Sequence, residues 1–149
     1  WHMDGTKWIL GDLMKIRLDH IGIAVNSISE GSEFWRILGL SQGRDERNEE
    51  QGVDIRFFDT AGSENGPRIE LLEPLGDDTP IGRFLDKRGQ GIQQVAFEVE
   101  DLDSLLIRLK TEGIRLINEV PARGSHGSRI VFVHPSSTGG VLVELLQYD

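Results

Sequence analysis

Four side chains in this chain combine reactive chemistry with a fixed spacing. Glu144 stands inside the apolar run VLVELLQ (141–147) and Glu70 inside RIELLEPL (68–75), 74 positions apart (144 − 70 = 74). The same shift links His20 in LDHIGIAV to Gln94 in IQQVAFEV (94 − 20 = 74). An ionised carboxylate in an apolar strand is costly unless a counter-charge meets it, so both glutamates need a partner. One imidazole nitrogen with three oxygen donors suits a divalent ion of the borderline-to-hard type, and two carboxylates balance its charge. Each residue also has an ordinary explanation: a buried His or Gln usually completes a core hydrogen bond, and Glu144 could pair with Arg68 or Arg129. A single offset joining all four favours one shared site, with His20, Glu70, Gln94 and Glu144 as candidate metal ligands.

The elements that must position these residues repeat with the same offset. Residues 16–25 alternate as a strand with His20, Gly22 and Ala24 on one face, and the small neighbours of His20 suggest that this face lines a cavity. A helix follows, with Ser29 as N-cap, Glu30 and Glu33 in its first turn, an apolar side of Phe34, Trp35 and Leu38, and Gly39 as its stop. The charged segment 41–52 is an exposed mixture of strand and loop, 53–59 is a strand, 61–67 a turn, and 68–72 the strand carrying Glu70. Residues 77–91 read as a connecting helix, capped by Thr79 with Pro80 at its first position and an apolar face of Ile81, Phe84 and Leu85. The pattern then restarts with a strand over 92–99, a helix over 102–112 capped by Asp101, a short strand through Leu116, and strands over 129–134 and 141–147. The offset also pairs Gly39 with Gly113, Leu40 with Ile114, Phe58 with Phe132 and Leu71 with Leu145. These registers imply an α+β chain made by internal duplication. Its divisions are an N-terminal extension (1–15, partly an expression remnant), a first β-α-β-β-β module (16–76), the connecting helix (77–91) and a second module (92–149).

Composition narrows the partners. The chain has 149 residues with 25 acidic against 16 basic, a net charge of −9, so nucleic acid and anionic membrane surfaces are poor partners. No apolar stretch approaches the roughly 20 residues of a membrane helix. The absence of cysteine excludes disulfides, thiolate metal sites and a cysteine nucleophile, and fits a reducing cytoplasm. Two Gly-rich loops, PARGSHGSRI (121–130) and HPSSTGG (134–140), present backbone N–H groups and hydroxyls suited to carbonyl or phosphate oxygens, with ordinary hairpin turns as the plainer reading. Ser125, His126, Gly127 and Arg129 are the candidate substrate contacts there.

LDHIGIAV, the EQGV of 50–53, ELLEPLGDDTPIGRFL, residues 91–99 and GSHGSRIVFVHPSSTGGVLVELLQ together resemble methylmalonyl-CoA epimerases. These belong to the vicinal oxygen chelate superfamily, with glyoxalase I, extradiol dioxygenases and bleomycin-resistance proteins. The resemblance runs from Leu18 to Gln147 and implies two βαβββ modules forming an open barrel around a divalent ion (cobalt, manganese, nickel or zinc), usually in a homodimer. It places the four ligand positions on His20, Glu70, Gln94 and Glu144. Two departures stand out: the epimerases carry GIHH where this chain has GIQQ, and some place a catalytic Glu where this chain has Ile55, with Asp54 directed to the opposite face. The implied activity is epimerisation at C2 of an acyl-CoA thioester, with Glu144 as one base and Glu70 as the other. The rival activities are a glyoxalase I-type lyase, and a metal-free binder of the bleomycin-sequestering type, which Gln94 would favour and the facing glutamates disfavour.

Overall fold

The computed structural model describes residues 14–60 and 66–149; the N-terminal extension up to residue 13 and most of the 61–67 turn lie outside the described residues. Strands β1 (Ile16–Ala24), β2 (Ser41–Asn48), β3 (Val53–Asp59) and β4 (Arg68–Pro74) belong to the first half; β5 (Gly91–Val99), β6 (Ala122–Arg123), β7 (Arg129–Val133) and β8 (Val143–Gln147) belong to the second. All eight join one curled sheet in the order β2-β3-β4-β1-β5-β8-β7-β6. In each half the first strand runs parallel to the last, β1 with β4 and β5 with β8, and the preceding strand pairs antiparallel with that last one. The antiparallel β1·β5 pair fuses the halves at the centre of the sheet.

Alternation sorts the strand residues onto two faces. On the outer face, Leu102, Leu105 and Leu106 of α4 (Leu102–Thr111) pack on Val99, Val131, Val133 and Leu145, while Ile28 packs with Val25, Phe58 and Leu71. Phe58 is fully buried, and truncation to Ala would cost about 3–5 kcal/mol through lost burial and the cavity left behind. On the inner face, Val53, Ile55, Phe57 and Leu72 meet Ile81, Phe84 and Leu85 of α3 (Pro80–Arg88), and Ala96, Ile130 and Leu146 form the corresponding cluster. Thr79 and Asp101 cap α3 and α4 through the backbone N–H of Gly82 and Ser104. Among the described residues, no helix is long and apolar enough to cross a membrane.

The first helix departs from the sequence reading. Ser27, not Ser29, is the N-cap, and the segment divides into α1 (Ile28–Gly31) and α2 (Glu33–Leu38). Ser32 causes the break: its hydroxyl donates back to the Ile28 carbonyl at 2.6 Å, the local bonding by which serine bends helices. Ile28 and Trp35, two turns apart, share the buried side. Phe34 and Leu38 lie on the neighbouring stripe and remain 60% and 58% exposed. In the second half, Leu116 makes only an isolated bridge to Val133, the short β6 adds a strand absent from the sequence reading, and the last strand begins at Val143.

Candidate metal and acid–base site

β1 breaks strict alternation where the chemistry begins: Asp19 and His20 are consecutive and both buried. The pairing with β5 slips between Leu18 and His20, so Asp19 is the extra residue of a β-bulge and its side chain turns to the same side as His20. Two residues on, Gly22 lies between Glu70 on β4 and Gln94 on β5. A Cβ at Gly22 would fall 2.8 Å from Gln94 Cγ and 3.0 Å from Leu72 Cδ1, so only glycine leaves both side chains their positions.

The structure brings together His20, Glu70, Gln94 and Glu144, all buried. Glu70 Oε2 lies 3.1 Å from His20 Nδ1, and Glu144 Oε1 lies 3.6 Å from His20 Nε2, so the glutamates flank opposite edges of one imidazole. Gln94 Nε2 donates to Glu144 Oε1 at 2.6 Å and approaches His20 Nε2 at 3.1 Å. That last contact is a hydrogen bond only when Nε2 carries no proton. In the neutral ring, Asp19 Oδ2, 2.6 Å from Nδ1, takes the ring N–H and leaves the Nε2 lone pair facing the cavity. Asp19 is held in turn by Arg68 Nη2 at 3.0 Å and by the Tyr148 hydroxyl at 2.8 Å. The salt bridges considered for Glu144 do not form: Arg68 contacts Asp19 and Glu70, and Arg129 pairs with Asp103.

The site holds more acid than base when His20 is neutral. Asp19, Glu70 and Glu144 against Arg68 leave a local charge of −2 when His20 is neutral (1 − 3 = −2), which one divalent ion would cancel. Burial alone would lower the His20 pKa, but the charge of Glu70 and the bonds to Asp19 and Glu144 outweigh it and push the ring up to about 10. Burial raises Glu70 to about 7, against the opposing pull of His20 and Arg68. Burial would also raise Asp19, yet its bonds to His20 and Arg68 hold it below the ordinary carboxylate value. The donor chemistry therefore fits a divalent ion. Asp19, His20 and Glu70 also lie close enough together to share one ion, but Asp19 already serves Nδ1, Arg68 and Tyr148 and is absent from the cavity wall. It is the partner that orients His20.

The site opens into a cavity of about 210 Å³ walled by Val53, Ile55, Leu72, Ile130 and Phe132, with Asn48, Gln51 and Ser125 as further polar groups. Ile55 points inward, where some epimerases carry a glutamate, and Asp54 turns outward to Arg47 at 2.7 Å. Of the proposed substrate contacts only Ser125 lines the cavity. His126 stacks edge-on against Phe57 and Tyr148 with φ of 58°, Gly127 continues its 3₁₀ turn, and Arg129 faces outward. Sequence reasoning does not find Asp19 or Tyr148 and gives Arg68 a different partner, because strand parity points Asp19 away from His20. One signal was available: Asp19 and Gln93 are both polar and stand at the repeat offset (93 − 19 = 74).

Residues 19–132 match the Glyoxalase/Bleomycin resistance protein/Dioxygenase superfamily. The chain is 37% identical to the mitochondrial methylmalonyl-CoA epimerase of Bos taurus over 96% of its length and 78% of the relative's. Its structure is similar to the methylmalonyl-CoA epimerase of Mycobacterium tuberculosis, with a TM-score of 0.83 and 42% identity, covering 89% of this chain and 87% of that one. It is also similar to a variant of the Streptomyces coelicolor methylmalonyl-CoA epimerase in complex with 2-nitronate-propionyl-CoA, with a TM-score of 0.82 and 36% identity, covering 89% and 94%. A curled sheet of two βαβββ halves, four inward-facing donors at one repeat offset and these likenesses agree: the chain is a methylmalonyl-CoA epimerase-like member of the Glyoxalase/Bleomycin resistance protein/Dioxygenase superfamily.

Proposed function

We propose that the chain interconverts the C2 epimers of methylmalonyl-CoA, or of a similar 2-substituted acyl thioester, by removing and returning the C2 proton. The observation that carries the reading is the placement of two buried glutamates at opposite edges of His20 in an otherwise largely apolar cavity. Epimerisation needs a proton acceptor on one face of the reacting carbon and a donor on the other. Among the described residues lining the cavity, the titratable groups are His20, Glu70 and Glu144. Glu144 is the proposed base on one face. Glu70, raised by burial to about 7, is suited to hold and release a proton at neutral pH on the other. The named relatives, which are methylmalonyl-CoA epimerases, support this substrate class.

His20 Nε2 and the carboxylate of Glu144 would hold a divalent ion together with Glu70, turned from the Nδ1 edge, and the oxygen of Gln94, with its amide turned over. Such an ion, when bound, supplies Lewis-acid stabilisation of negative charge developing on the thioester oxygen. Asp19 fixes the His20 tautomer, and Val53, Ile55, Leu72 and Ile130 keep bulk water from the reacting carbon. Ser125, on the cavity wall, would offer its hydroxyl to the substrate carboxylate.

The test is hydrogen exchange at C2. In heavy water, the protein should introduce deuterium into methylmalonyl-CoA while equilibrating the two epimers. Turnover of the methylglyoxal–glutathione hemithioacetal without such exchange would replace this reading with the lyase.

A further inference from the structure

The two glutamates share a repeat position but not a setting. Glu144 Oε1 takes a short hydrogen bond from Gln94 and already faces His20 Nε2, the ring nitrogen left free in the neutral imidazole. Glu70 Oε2 instead lies against the Nδ1 edge and meets a cation, Arg68 Nη2, at 3.2 Å. The equivalent of Arg68 in the second half is Leu142 (68 + 74 = 142), which brings no charge to Glu144. The bulge residues differ in the same way. A second slip in the β1·β5 pairing leaves Gln93 as the counterpart of Asp19 (93 − 19 = 74), and Gln93 Oε1 is buried with no hydrogen-bond partner. Arg68 with its acid Asp19 is thus a feature of the first half only.

Arg68 holds Glu70 by charge rather than by a committed hydrogen bond. Nη2 carries two N–H groups, yet three oxygens surround it: Asp19 Oδ2 at 3.0 Å, Glu70 Oε2 at 3.2 Å and the Tyr148 hydroxyl at 3.2 Å. His20 Nδ1, on the other side of Glu70, is likewise engaged, with Asp19 at 2.6 Å against 3.1 Å to Glu70. Glu70 is therefore the surplus acceptor at both donors. Nor do Arg68 and Glu70 form the bidentate fork that would fix the carboxylate, and Arg68 Nε is buried without a partner. Glu70 can leave this place while Asp19 and Tyr148 keep both Nη2 hydrogens. With its side chain only 3% exposed, water cannot replace a cation, so an ionised Glu70 must face either Arg68 or an ion.

We propose that Arg68 is a positioning residue that gives Glu70 a second resting place, so that its carboxylate pairs with Arg68 in the metal-free protein and turns to the divalent ion when one binds. The proposal rests on the reading above, in which His20, Glu70, Gln94 and Glu144 hold that ion. Glu144 has no matching arginine at the repeat position and stays on the Nε2 side of His20 in both states. Of the two duplicated glutamates, Glu70 is the one that the fold lets detach.

The test is a double-mutant cycle on ion binding, read by calorimetric titration of the chelator-treated protein with Co²⁺. Arg68→Gln removes the charge and keeps a donor for Asp19 and Tyr148, so it should tighten binding by about ten-fold. In a Glu70→Gln background, where Arg68 has no carboxylate to hold, the same change should alter affinity by no more than about two-fold. An equal gain in both backgrounds would mean that Arg68 acts on the ion only through its field. Weaker binding in Arg68→Gln would mean that it acts by holding Asp19. Either result overturns the proposal while leaving the ion site intact. Arg68→Lys, which keeps the charge, should bind Co²⁺ as the parent protein does, and a gain equal to that of Arg68→Gln also overturns it. Crystal structures of the unaltered protein give a reading that needs no variant. Glu70 should contact Arg68 after chelator treatment and face the ion in the Co²⁺-loaded protein; a contact kept in both overturns the proposal. If the parent binds none of Co²⁺, Mn²⁺, Ni²⁺ and Zn²⁺, the ion reading itself fails and the proposal with it.

Discussion

Asp19 Oδ2 lies 2.6 Å from His20 Nδ1, although the two residues are sequence neighbours on a strand that ordinarily sends neighbours to opposite faces. The bulge that permits this contact also sets the ring tautomer, and Arg68 and Tyr148 fix the carboxylate in place. Asp19→Asn should therefore weaken divalent-ion binding by about 10–100-fold, the usual effect of removing a carboxylate that orients a metal-binding histidine. Isothermal titration checks this; an unchanged affinity would separate Asp19 from the function of His20.

The ion must displace protons to bind. His20 is raised from an ordinary 6.5 to about 10 and Glu70 from 4.5 to about 7, so ion affinity should climb as pH rises from 6 to 9, with net proton release. Titrations in buffers of different ionisation enthalpy measure that release.

The same shifts act on the metal-free fold with the opposite sign. A group whose pKa is raised by folding stabilises fully below its unfolded pKa and loses that contribution as pH rises through the folded one. For His20 the window runs from 6.5 to about 10, so the melting temperature of the chelator-treated protein should fall across it, and saturating metal should flatten or reverse the trend. A metal-free melting temperature that rises over that range would contradict the carboxylate cluster around His20.

Gly22→Ala should cost about 1–3 kcal/mol, because the new Cβ overlaps Gln94 Cγ at 2.8 Å and Leu72 Cδ1 at 3.0 Å. Chemical denaturation gives the stability loss. The same variant should weaken ion binding, since Gln94 is the side chain displaced.

Glu144→Gln keeps a shape that can still contact Gln94 but removes the charge and the base. Deuterium exchange at C2 should drop by about 10²–10⁴-fold with little change in the unfolding midpoint. Wild-type exchange in this variant would remove Glu144 from the proton transfer.

Gln94→His should tighten ion binding, since imidazole is the stronger ligand and no longer needs to turn an amide oxygen toward the site. Competition with a metallochromic chelator reads the change directly. Equal affinity would mean that position 94 does not ligate.

Much of the site was legible because duplication leaves a numerical trace. One offset located His20, Glu70, Gln94 and Glu144, and burial of an acid among apolar neighbours has few physical solutions. Strand alternation assigned Ile55 and Asp54 to opposite faces, and Thr79 and Asp101 announced their helices through side-chain acceptors that act within three residues. What sequence could not decide was anything set by strand register between distant segments. The two slips in the β1·β5 pairing turn Asp19 and Gln93 inward against their expected parity, and the placement of Arg68 and Tyr148 on Asp19 joins residues 49 and 129 positions away from it. Those contacts depend on how the curled sheet closes. Local propensity carries no record of that closure, and so only the tertiary structure reveals that one bulge residue is fully partnered while its counterpart is left with an open acceptor.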